Sequence, residues 1–450
     1  MIDLLLLITG LAGSIVFIYV AFISLNEKEF RAFRVSVLLS VGWLIPFLLI
    51  YLYDFPFKET ISLVLLAGVY LFFLLLLLPV NSKIQEPFPT PKQKHDERDV
   101  MFSRNELKPG TALFKEYYTK NPKKKIPDDK FRANPGLLSS DSILYHPYTF
   151  AAADANFETI EALKLFVDGK VSEKKQNVDP KKISRFVKSW LKKLGAHSIG
   201  ITLLKDYHLY SHKGRGALYG KAIQNKHPYA IAFTVEMDHE MMKSAPKGSA
   251  VMESSQQYLN SGTIAVQLAS FIRKLGFSAR AHIDGNYELI CPLVASDAGL
   301  GEIGRMGLLM TPKLGPRVRV AVVTTDMPVI IDKKRDYSSV IDFCNICKKC
   351  ADACPSASIS HQKRSIYEGV LRWKINSERC FTYWSAIGTD CGRCIAVCPF
   401  AHPDNLMHNT IRWGIGNSFL FRRFALWMDD LFYGRKPKSK PLPFWLEHGV

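Results

Sequence analysis

Eight of the nine cysteines lie between Cys344 and Cys398, in two runs of fixed spacing. The first run follows C-x2-C-x2-C-x3-C-P and the second follows C-x2-C-x3-C-P, with Cys380 between them. In ferredoxin-type runs, three cysteines bind one [4Fe–4S] cluster and the fourth binds the other cluster. This rule predicts a first cysteine set, Cys344, Cys347, Cys350 and Cys398, and a second cysteine set, Cys354, Cys380, Cys391 and Cys394.

Two other uses of these cysteines are disfavoured by the pattern. Four thiolates also suit zinc, but zinc motifs pair two C-x2-C knuckles, whereas each run here has three or four cysteines and ends in Cys-Pro. A disulfide framework fits less well, because nearly every thiol has a cluster to bind and only Cys291 is left over. Two clusters in one chain indicate electron transfer, one electron at a time.

Three apolar segments at the start of the chain, residues 2–25, 35–53 and 61–80, are each near the roughly 20 residues that cross a bilayer. They predict a three-helix transmembrane anchor over residues 1–80. A cleaved secretory signal is the alternative for the first segment, but it lacks a basic n-region and a small-residue cleavage site. No twin-arginine leader is expected either.

Basic residues flank one end of these helices. The first loop region carries Lys28, Arg31 and Arg34, the second carries only Lys58, and the segment after the third helix carries Lys83, Lys92, Lys94 and Arg98. The positive-inside rule therefore predicts that everything after Val80 faces the cytoplasm and that the chain is a multi-pass inner-membrane protein. The net charge of +18 is dispersed, so it indicates membrane lipid rather than nucleic acid as a partner.

The remaining elements must position the cysteines. Residues 81–138 are polar and proline-rich and predict a linker with an extended wrap. Residues 139–334 alternate helical periodicity (187–194, 262–275) with β-rich runs (197–203, 229–235, 279–283, 287–291, 318–325), which predicts an α/β domain. The cysteines occupy residues 335–410, and an aromatic and basic segment, residues 411–450, predicts either membrane-interface contact or packing on the cysteine module.

A glycine motif, Gly299, Gly301 and Gly304, fits G-x-G-x-x-G within the α/β domain. A dinucleotide-binding fingerprint should follow a strand directly and carry an acidic residue about 20 positions later. Residues 295–298 make a poor strand, so the motif does not favour NAD binding. The glycines still allow a backbone to approach a large ligand closely.

Several segments together resemble the cobamide-dependent reductive dehalogenases over about 300 residues. They are Val235 to Asp238, Ser254-x3-Tyr258, Asp297 to Leu309, Gly315-Pro-Arg317-Val-Arg319, the two cysteine runs, and Met428 to Gly434. The resemblance implies a nitroreductase-like α/β domain that holds a corrinoid, next to a ferredoxin-like module with two [4Fe–4S] clusters.

The family's site residues can be carried over by spacing. The resemblance implies Tyr258 as proton donor, with Ser254 four residues earlier and Arg317, 59 residues later, as the cation that lowers its pKa. Arg305 is the alternative cation, and Asn286 lies near a pocket position of some members. For the corrinoid, we expect contacts from Gly299, Gly301, Gly304, Arg305, Gly315 and Arg319.

We therefore expect a membrane-anchored reductive dehalogenase that replaces carbon–halogen by carbon–hydrogen on a small organohalide. A low-potential donor (ferredoxin, flavodoxin or a quinol-linked protein) would feed the clusters. The fused helices depart from the family pattern, in which exported members pair with a separate anchor protein. The alternatives are an epoxyqueuosine-reductase-like enzyme, disfavoured by the membrane helices and Tyr258, and a non-catalytic electron-transfer subunit.

Overall fold

The computed structural model describes residues 1–79, 91, 93–367 and 369–447, and the chain divides into two compact units. The first unit comprises Met1–Ile84 and Asp404–Pro437, and the second comprises Gln85–Pro403 and Lys438–Val450. Residues 81–90, where the sequence predicts a linker, lie outside the described residues. The first unit therefore joins the N-terminal helices to part of the segment predicted as a separate C-terminal region.

Eighteen α-helices and eight strands are present in the part of the chain that the structure describes. The helices are α1 (Ile2–Asn26), α2 (Phe30–Leu52), α3 (Lys58–Leu77), α4 (Met101–Asn105), α5 (Ala112–Lys120), α6 (Pro122–Arg132), α7 (Pro147–Leu163), α8 (Pro180–Lys193), α9 (His239–Lys243), α10 (Gly248–Lys274), α11 (Cys291–Asp297), α12 (Ser338–Cys347), α13 (Lys349–Asp352), α14 (Ser377–Ile387), α15 (Arg393–Ala396), α16 (Leu406–Asn417), α17 (Phe419–Tyr433) and α18 (Phe444–Glu447). The strands are β1 (Ser198–Leu203), β2 (Tyr229–Glu236), β3 (Ala279–His282), β4 (Glu302–Ile303), β5 (Leu309–Met310), β6 (Val318–Thr325), β7 (Ser365–Tyr367) and β8 (Val370–Arg372).

Helices α1 to α3 are each long and apolar enough to cross a membrane. Small residues let α1 and α2 approach closely, because a Cβ on Gly10 would overlap Phe47 and a Cβ on Gly13 would overlap Trp43. Close packing of small residues is the usual basis of helix association in lipid. The hydroxyls of Ser14 and Ser40 lie 2.7 Å apart between the same two helices.

Helices α16 and α17 complete the first unit. The rings of Phe424 on α17 and Phe72 on α3 meet edge to face with centroids 5.7 Å apart. Arg31 at the start of α2 donates its Nε–H to the carbonyl of Leu431, 3.1 Å away. The structure therefore places α17 against two of the three apolar helices.

A four-stranded antiparallel sheet of order β1-β2-β6-β3 forms the centre of the second unit. One face packs on the 27-residue α10 through an apolar core that includes Phe233, Leu268 and Val323. Helix α7 also packs against α10. This mixed helix and sheet arrangement confirms the expected α/β class, and the predicted strands at 197–203, 229–235, 279–283 and 318–325 are all present.

Two local predictions were wrong. Residues 287–291, expected as a strand, precede α11, which begins at Cys291 because Pro292 occupies its first turn, where a missing N–H costs nothing. The expected extended wrap instead contains α4, α5 and α6. Pro122 again starts a helix, α6, and the buried Arg104 guanidinium bonds the carboxylates of Asp128 (2.7 Å) and Glu378 (2.6 Å).

Candidate active site

Tyr258 lies in the middle of α10, the most buried long helix of the second unit. The helix is largely buried on both sides of this point, yet residues 256–260 all keep accessible surface, as do residues 284–288 in the loop after β3. A run of partly accessible residues within a core helix indicates a cavity beside it. Tyr258 is one of these accessible residues and is therefore not packed fully into the apolar core.

A cation lies over the tyrosine ring. The guanidinium carbon of Arg319, on β6, is 4.6 Å from the centroid of the Tyr258 ring. Arg319 also donates to the hydroxyl of Ser254 and lies 3.3 Å from a carboxylate oxygen of Asp390, and Ser254 donates to that same carboxylate. We call these four residues, Tyr258, Arg319, Ser254 and Asp390, the tyrosine network.

The charges in this network favour a protonated phenol beside a fixed cation. Burial raises the pKa of Tyr258 to about 12, although Arg319 opposes the shift. The sequence had suggested that a cation would lower this pKa, but here desolvation is the larger effect. Burial lowers the pKa of Arg319, but Tyr258 and Asp390 raise it by more, so the guanidinium stays charged. Burial raises the pKa of Asp390, against Arg319 and Ser254.

Arg317, the cation expected from spacing, lies elsewhere. Its Nε–H donates to the carbonyl of Ala401 at 2.8 Å, and its Nη1 group donates to the carboxylate of Glu236 at 2.8 Å and to the carbonyl of Met237. These contacts tie the start of β6 to the turn after the second cysteine run. The structure thus brings Tyr258 and Ser254 together with Arg319, and not with Arg317.

Arg305, the alternative cation, is also engaged away from Tyr258. Its guanidinium is buried and donates to the backbone carbonyls of Cys344 (3.0 Å), Ser360 (2.7 Å) and Gln362 (2.9 Å). It therefore joins α12 to the loop at residues 360–362 within the cysteine module.

The glycines expected to contact a cofactor pack against protein atoms. A Cβ on Gly301 would overlap the carbonyl of Met310, one on Gly304 would overlap the Met310 side chain, and one on Gly315 would overlap the backbone of Phe400. Gly299 and Gly315 also have positive φ values, +76° and +54°, which favour glycine. These contacts show that the glycines allow close packing of the loop before β4 and of the turn before β6. This packing role is separate from any contact with a cofactor.

All nine cysteines are free thiols, and the eight in the runs fall into two groups. Cys398 lies within electrostatic range of Cys344, Cys347 and Cys350, and Cys394 lies within range of Cys354, Cys380 and Cys391 and also of Cys350. Apart from Cys350, which is near both groups, these neighbours are the ones that the ferredoxin rule predicts for the two cysteine sets. Three thiolates in a tight turn and a fourth from the other run are the donor set that a [4Fe–4S] cluster requires.

Two acidic residues of the site were not singled out from the sequence. Asp390 directly precedes Cys391, so the tyrosine network is covalently joined to the second cysteine set. Asp284, in the turn after β3, is close enough to influence Tyr258, and burial raises its pKa. Asn286 instead uses its side-chain oxygen to accept from Arg280 at 2.7 Å and Lys213 at 3.4 Å. Asp390 could have been identified from the sequence because it directly precedes a cluster ligand. No sequence feature pointed to Asp284.

Comparisons with known proteins find relatives of the cysteine module and of a longer part of the chain. Residues 343–402 match the family described as a 4Fe-4S dicluster domain. A tetrachloroethene reductive dehalogenase from Sulfurospirillum multivorans is 36% identical over 222 residues, covering 48% of this chain and 44% of that protein. Another, from Desulfitobacterium hafniense, is 38% identical over 193 residues, covering 40% of this chain and 34% of that protein.

A solved structure of a reductive dehalogenase also resembles this chain in its fold. A reductive dehalogenase structure described as suggesting a mechanism for B12-dependent dehalogenation is 25% identical, with a TM-score of 0.63, and the match covers 78% of this chain and 48% of that one. The chain thus spans less than half the length of these relatives.

Proposed function

Because this chain is similar to reductive dehalogenases in sequence and in fold, we propose that it replaces a carbon–halogen bond of a small organohalide by carbon–hydrogen. The reaction takes up two electrons and one proton and releases a halide ion. The observation that carries the proposal is the tyrosine network, in which Tyr258 and the half-buried Arg319 lie beside the accessible part of α10 and connect through Asp390 to a cysteine of the second set.

The cofactors expected are two [4Fe–4S] clusters, bound by the two cysteine sets, and a corrinoid in the cavity beside α10. When bound, the corrinoid supplies the two-electron reduction of the carbon–halogen bond, with electrons passed singly from the clusters. Two features of the cavity suit a large cofactor and its substrate. Residues 256–260 and 284–288 present accessible surface for it to cover, and Arg319 Nε is buried without a hydrogen-bond partner among the described residues.

The protein's own contribution is the proton. Tyr258 keeps its phenol protonated at neutral pH, and burial raises its pKa further, so it holds the proton until the carbon accepts it. Arg319 stabilises the negative charge that the phenol oxygen develops as the proton leaves. Ser254 and Asp390 hold Arg319 in place through charge-assisted hydrogen bonds.

The three apolar helices anchor the enzyme in the inner membrane, with the second unit in the cytoplasm. The support is the excess of basic residues near the inner helix ends, including Lys28, Arg31 and Arg34. The physiological reductant would then be a cytoplasmic or membrane-bound low-potential donor, and lipid is a structural partner.

The test is a combined cofactor and activity measurement on protein purified without oxygen. We expect about eight irons per chain, as two clusters require, one cobalt after reconstitution with a corrinoid, and halide release from some members of a panel of halogenated phenols and alkenes. Tyr258→Phe should keep both metals and lose turnover by about 10²–10⁴-fold, the usual contribution of a general acid.

The controls separate the rival functions. Clusters without any corrinoid binding would indicate an electron-transfer subunit. Corrinoid binding with reduction of an epoxyqueuosine-containing RNA, and no halide release, would indicate the related tRNA-modifying reaction. Tyr258→Phe that dehalogenates at the parent rate with full cofactor content would show that another group supplies the proton.

A further inference from the structure

A short hairpin separates the two cysteine runs. Strands β7 and β8 pair with each other over Ser365–Tyr367 and Val370–Arg372, and the side chains of β7 are all exposed, with Ile366 at 73%. Residues 361–374 contain four Lys and Arg residues, a histidine and a single glutamate. We call residues 361–374 the basic hairpin.

Aromatic rings hold the cations of the basic hairpin in place. The guanidinium of Arg372 lies 4.7 Å from the centroid of the Tyr367 ring, and the ammonium of Lys374 lies 6.0 Å from it. Arg364 lies 5.5 Å from the Trp373 ring in the same way. Cations stacked on rings lose less side-chain freedom when they bind a partner, so this surface is preorganised for a negatively charged one.

The base of the basic hairpin is bonded to the first cysteine set. Arg305 donates to the carbonyls of Ser360 and Gln362 at the start of the hairpin, and to the carbonyl of Cys344. The same guanidinium lies 5.0 Å from the Trp373 ring, on the returning side of the hairpin. Through Arg305, both sides of the hairpin are therefore fixed to α12, the helix that carries Cys344 of the first cysteine set.

The second cysteine set lies next to the tyrosine network rather than the basic hairpin. Asp390, next to Cys391, belongs to the tyrosine network through Ser254 and Arg319. The two sets thus have different neighbours: the first lies against an exposed basic surface, and the second lies against the proton donor. Electrons that enter at the first set and leave from the second would travel from the protein surface to the site.

We propose that the basic hairpin is the docking surface for a small acidic electron-transfer protein, an iron–sulfur or flavin carrier that reduces the cluster of the first set. This inference rests on the proposed function and names its partner. Each docking event oxidises the carrier by one electron and reduces the cluster by one, so two events supply one turnover. Basic residues would steer the acidic carrier, and the exposed Ile366 gives the contact an apolar centre.

The test compares two charge-reversed variants of the full-length protein. The hairpin variant carries Arg364→Glu, Arg372→Glu and Lys374→Glu. The control carries Lys181→Glu, Arg185→Glu and Lys193→Glu, three exposed positions on α8, a helix without cysteines. The changes in net charge are identical. Cluster reduction is followed by the loss of visible absorbance on mixing with a reduced acidic ferredoxin or flavodoxin, and separately with reduced methyl viologen.

We expect the hairpin variant to be reduced by the acidic carrier at least about tenfold more slowly than the control at low salt. The difference should shrink as salt screens the charges, and both variants should react equally with methyl viologen. Equal rates for the two variants with the carrier would overturn the proposal, as would reduction only by a membrane quinol. The readout of this test is cluster reduction, which does not depend on halide release. A failure of the proposed dehalogenation would therefore appear only in the halide-release assay.

Discussion

Arg317 and Arg319 are two positions apart, but they stabilise different parts of the second unit. Arg317 precedes β6 and directs its donors to the carbonyls of Met237 and Ala401. Arg319 is the second residue of β6 and lies over Tyr258. One arginine therefore holds the backbone of two segments together, and the other places a charge at the candidate site.

Substitution by glutamine should separate these roles. Arg319→Gln removes the cation over the phenol, and a desolvated cation–π contact is worth about 2 kcal/mol, so turnover of the folded protein should fall about thirtyfold or more; stability should fall as well, because Asp390 loses its cation. Arg317→Gln leaves backbone carbonyls without donors, which costs about 1–3 kcal/mol each. It should lower the free energy of unfolding and leave the turnover of the folded protein close to the parent value.

Steady-state dehalogenation and chemical denaturation of the same preparations provide the two measurements. Arg319→Lys is the matched control, since it keeps the charge and loses the planar group. A turnover defect in Arg317→Gln that exceeds the defect in Arg319→Gln would reverse the assignment.

The sequence predicts which residues of the site are neighbours only where their spacing along one helix places them on the same face. Ser254 and Tyr258 are four apart on a helix, so they lie on one face of α10. The choice between Arg317 and Arg319 depends on the residue at which β6 begins, and counting along the chain does not provide it. Asp390 reaches Ser254 across 136 positions, a contact that local sequence patterns do not contain.

At the scale of elements, two neutral histidines share one threonine of β6. Ring nitrogens of His282 and His227 lie 3.0 and 2.9 Å from the hydroxyl of Thr324. The backbone N–H of Glu288 donates to Nδ1 of His282, so protonation of that nitrogen would break the bond. Burial lowers the pKa of both rings, and for His282 the charges of Arg280 and Lys213 lower it further.

This arrangement predicts that the second unit loses stability in acid. A histidine with a pKa below its unfolded value of about 6.5 binds fewer protons in the folded state than in the unfolded state. The stability is therefore present above pH 6.5 and is lost as the pH falls below it. The free energy of unfolding should decrease between pH 7.5 and pH 5.5, and His282→Gln should show a shallower decrease, measured by denaturant titration. An identical slope in parent and variant would contradict the prediction.

Helix α17 carries the features of an interfacial helix. It packs on α2 and α3 through Arg31 and Phe72, while Trp427, one turn after Phe424, is 60% exposed. A tryptophan in that position suits the headgroup region of a bilayer. In vesicles containing brominated lipids, we expect quenching of the tryptophan fluorescence to fall in Trp427→Phe.

The control for this experiment is Trp190→Phe, which changes a half-buried tryptophan on α8 of the second unit. Its substitution should leave the quenched fraction unchanged or higher. Equal quenching in the parent and in Trp427→Phe would show that α17 does not reach the lipid.

Elements with a strong local pattern were predictable, and those fixed by tertiary contacts were not. β6 is a run of β-branched residues and was placed within its observed bounds, Val318–Thr325. Helices α4 to α6 are short and rich in polar residues, and only α5 has an aromatic stripe, Phe114, Tyr117 and Tyr118. They are stabilised by contacts such as the buried pair of Arg104 and Asp128, whose partners are 24 positions apart.

For the whole molecule, the charge bias predicts where the second unit faces. A reporter active only in the cytoplasm should work when fused after Val80 or after Val450, since basic residues flank the inner helix ends. A fusion within the loop between α2 and α3, at Pro56, should be inactive and serves as the control. Activity at Pro56 together with inactivity at the other two points would reverse the orientation.

The first unit has a consequence for how the protein is made. Its two segments, Met1–Ile84 and Asp404–Pro437, are separated in the sequence by nearly all residues of the second unit. At about 5–20 residues per second, a ribosome needs on the order of half a minute to travel from one segment to the other. During that time α1 to α3 can enter the bilayer, but α17 has not yet been synthesised. The surfaces of α2 and α3 that contact α17 therefore remain uncovered. The cysteine module emerges before that last step, so cluster assembly factors have access to the nascent chain before the first unit closes.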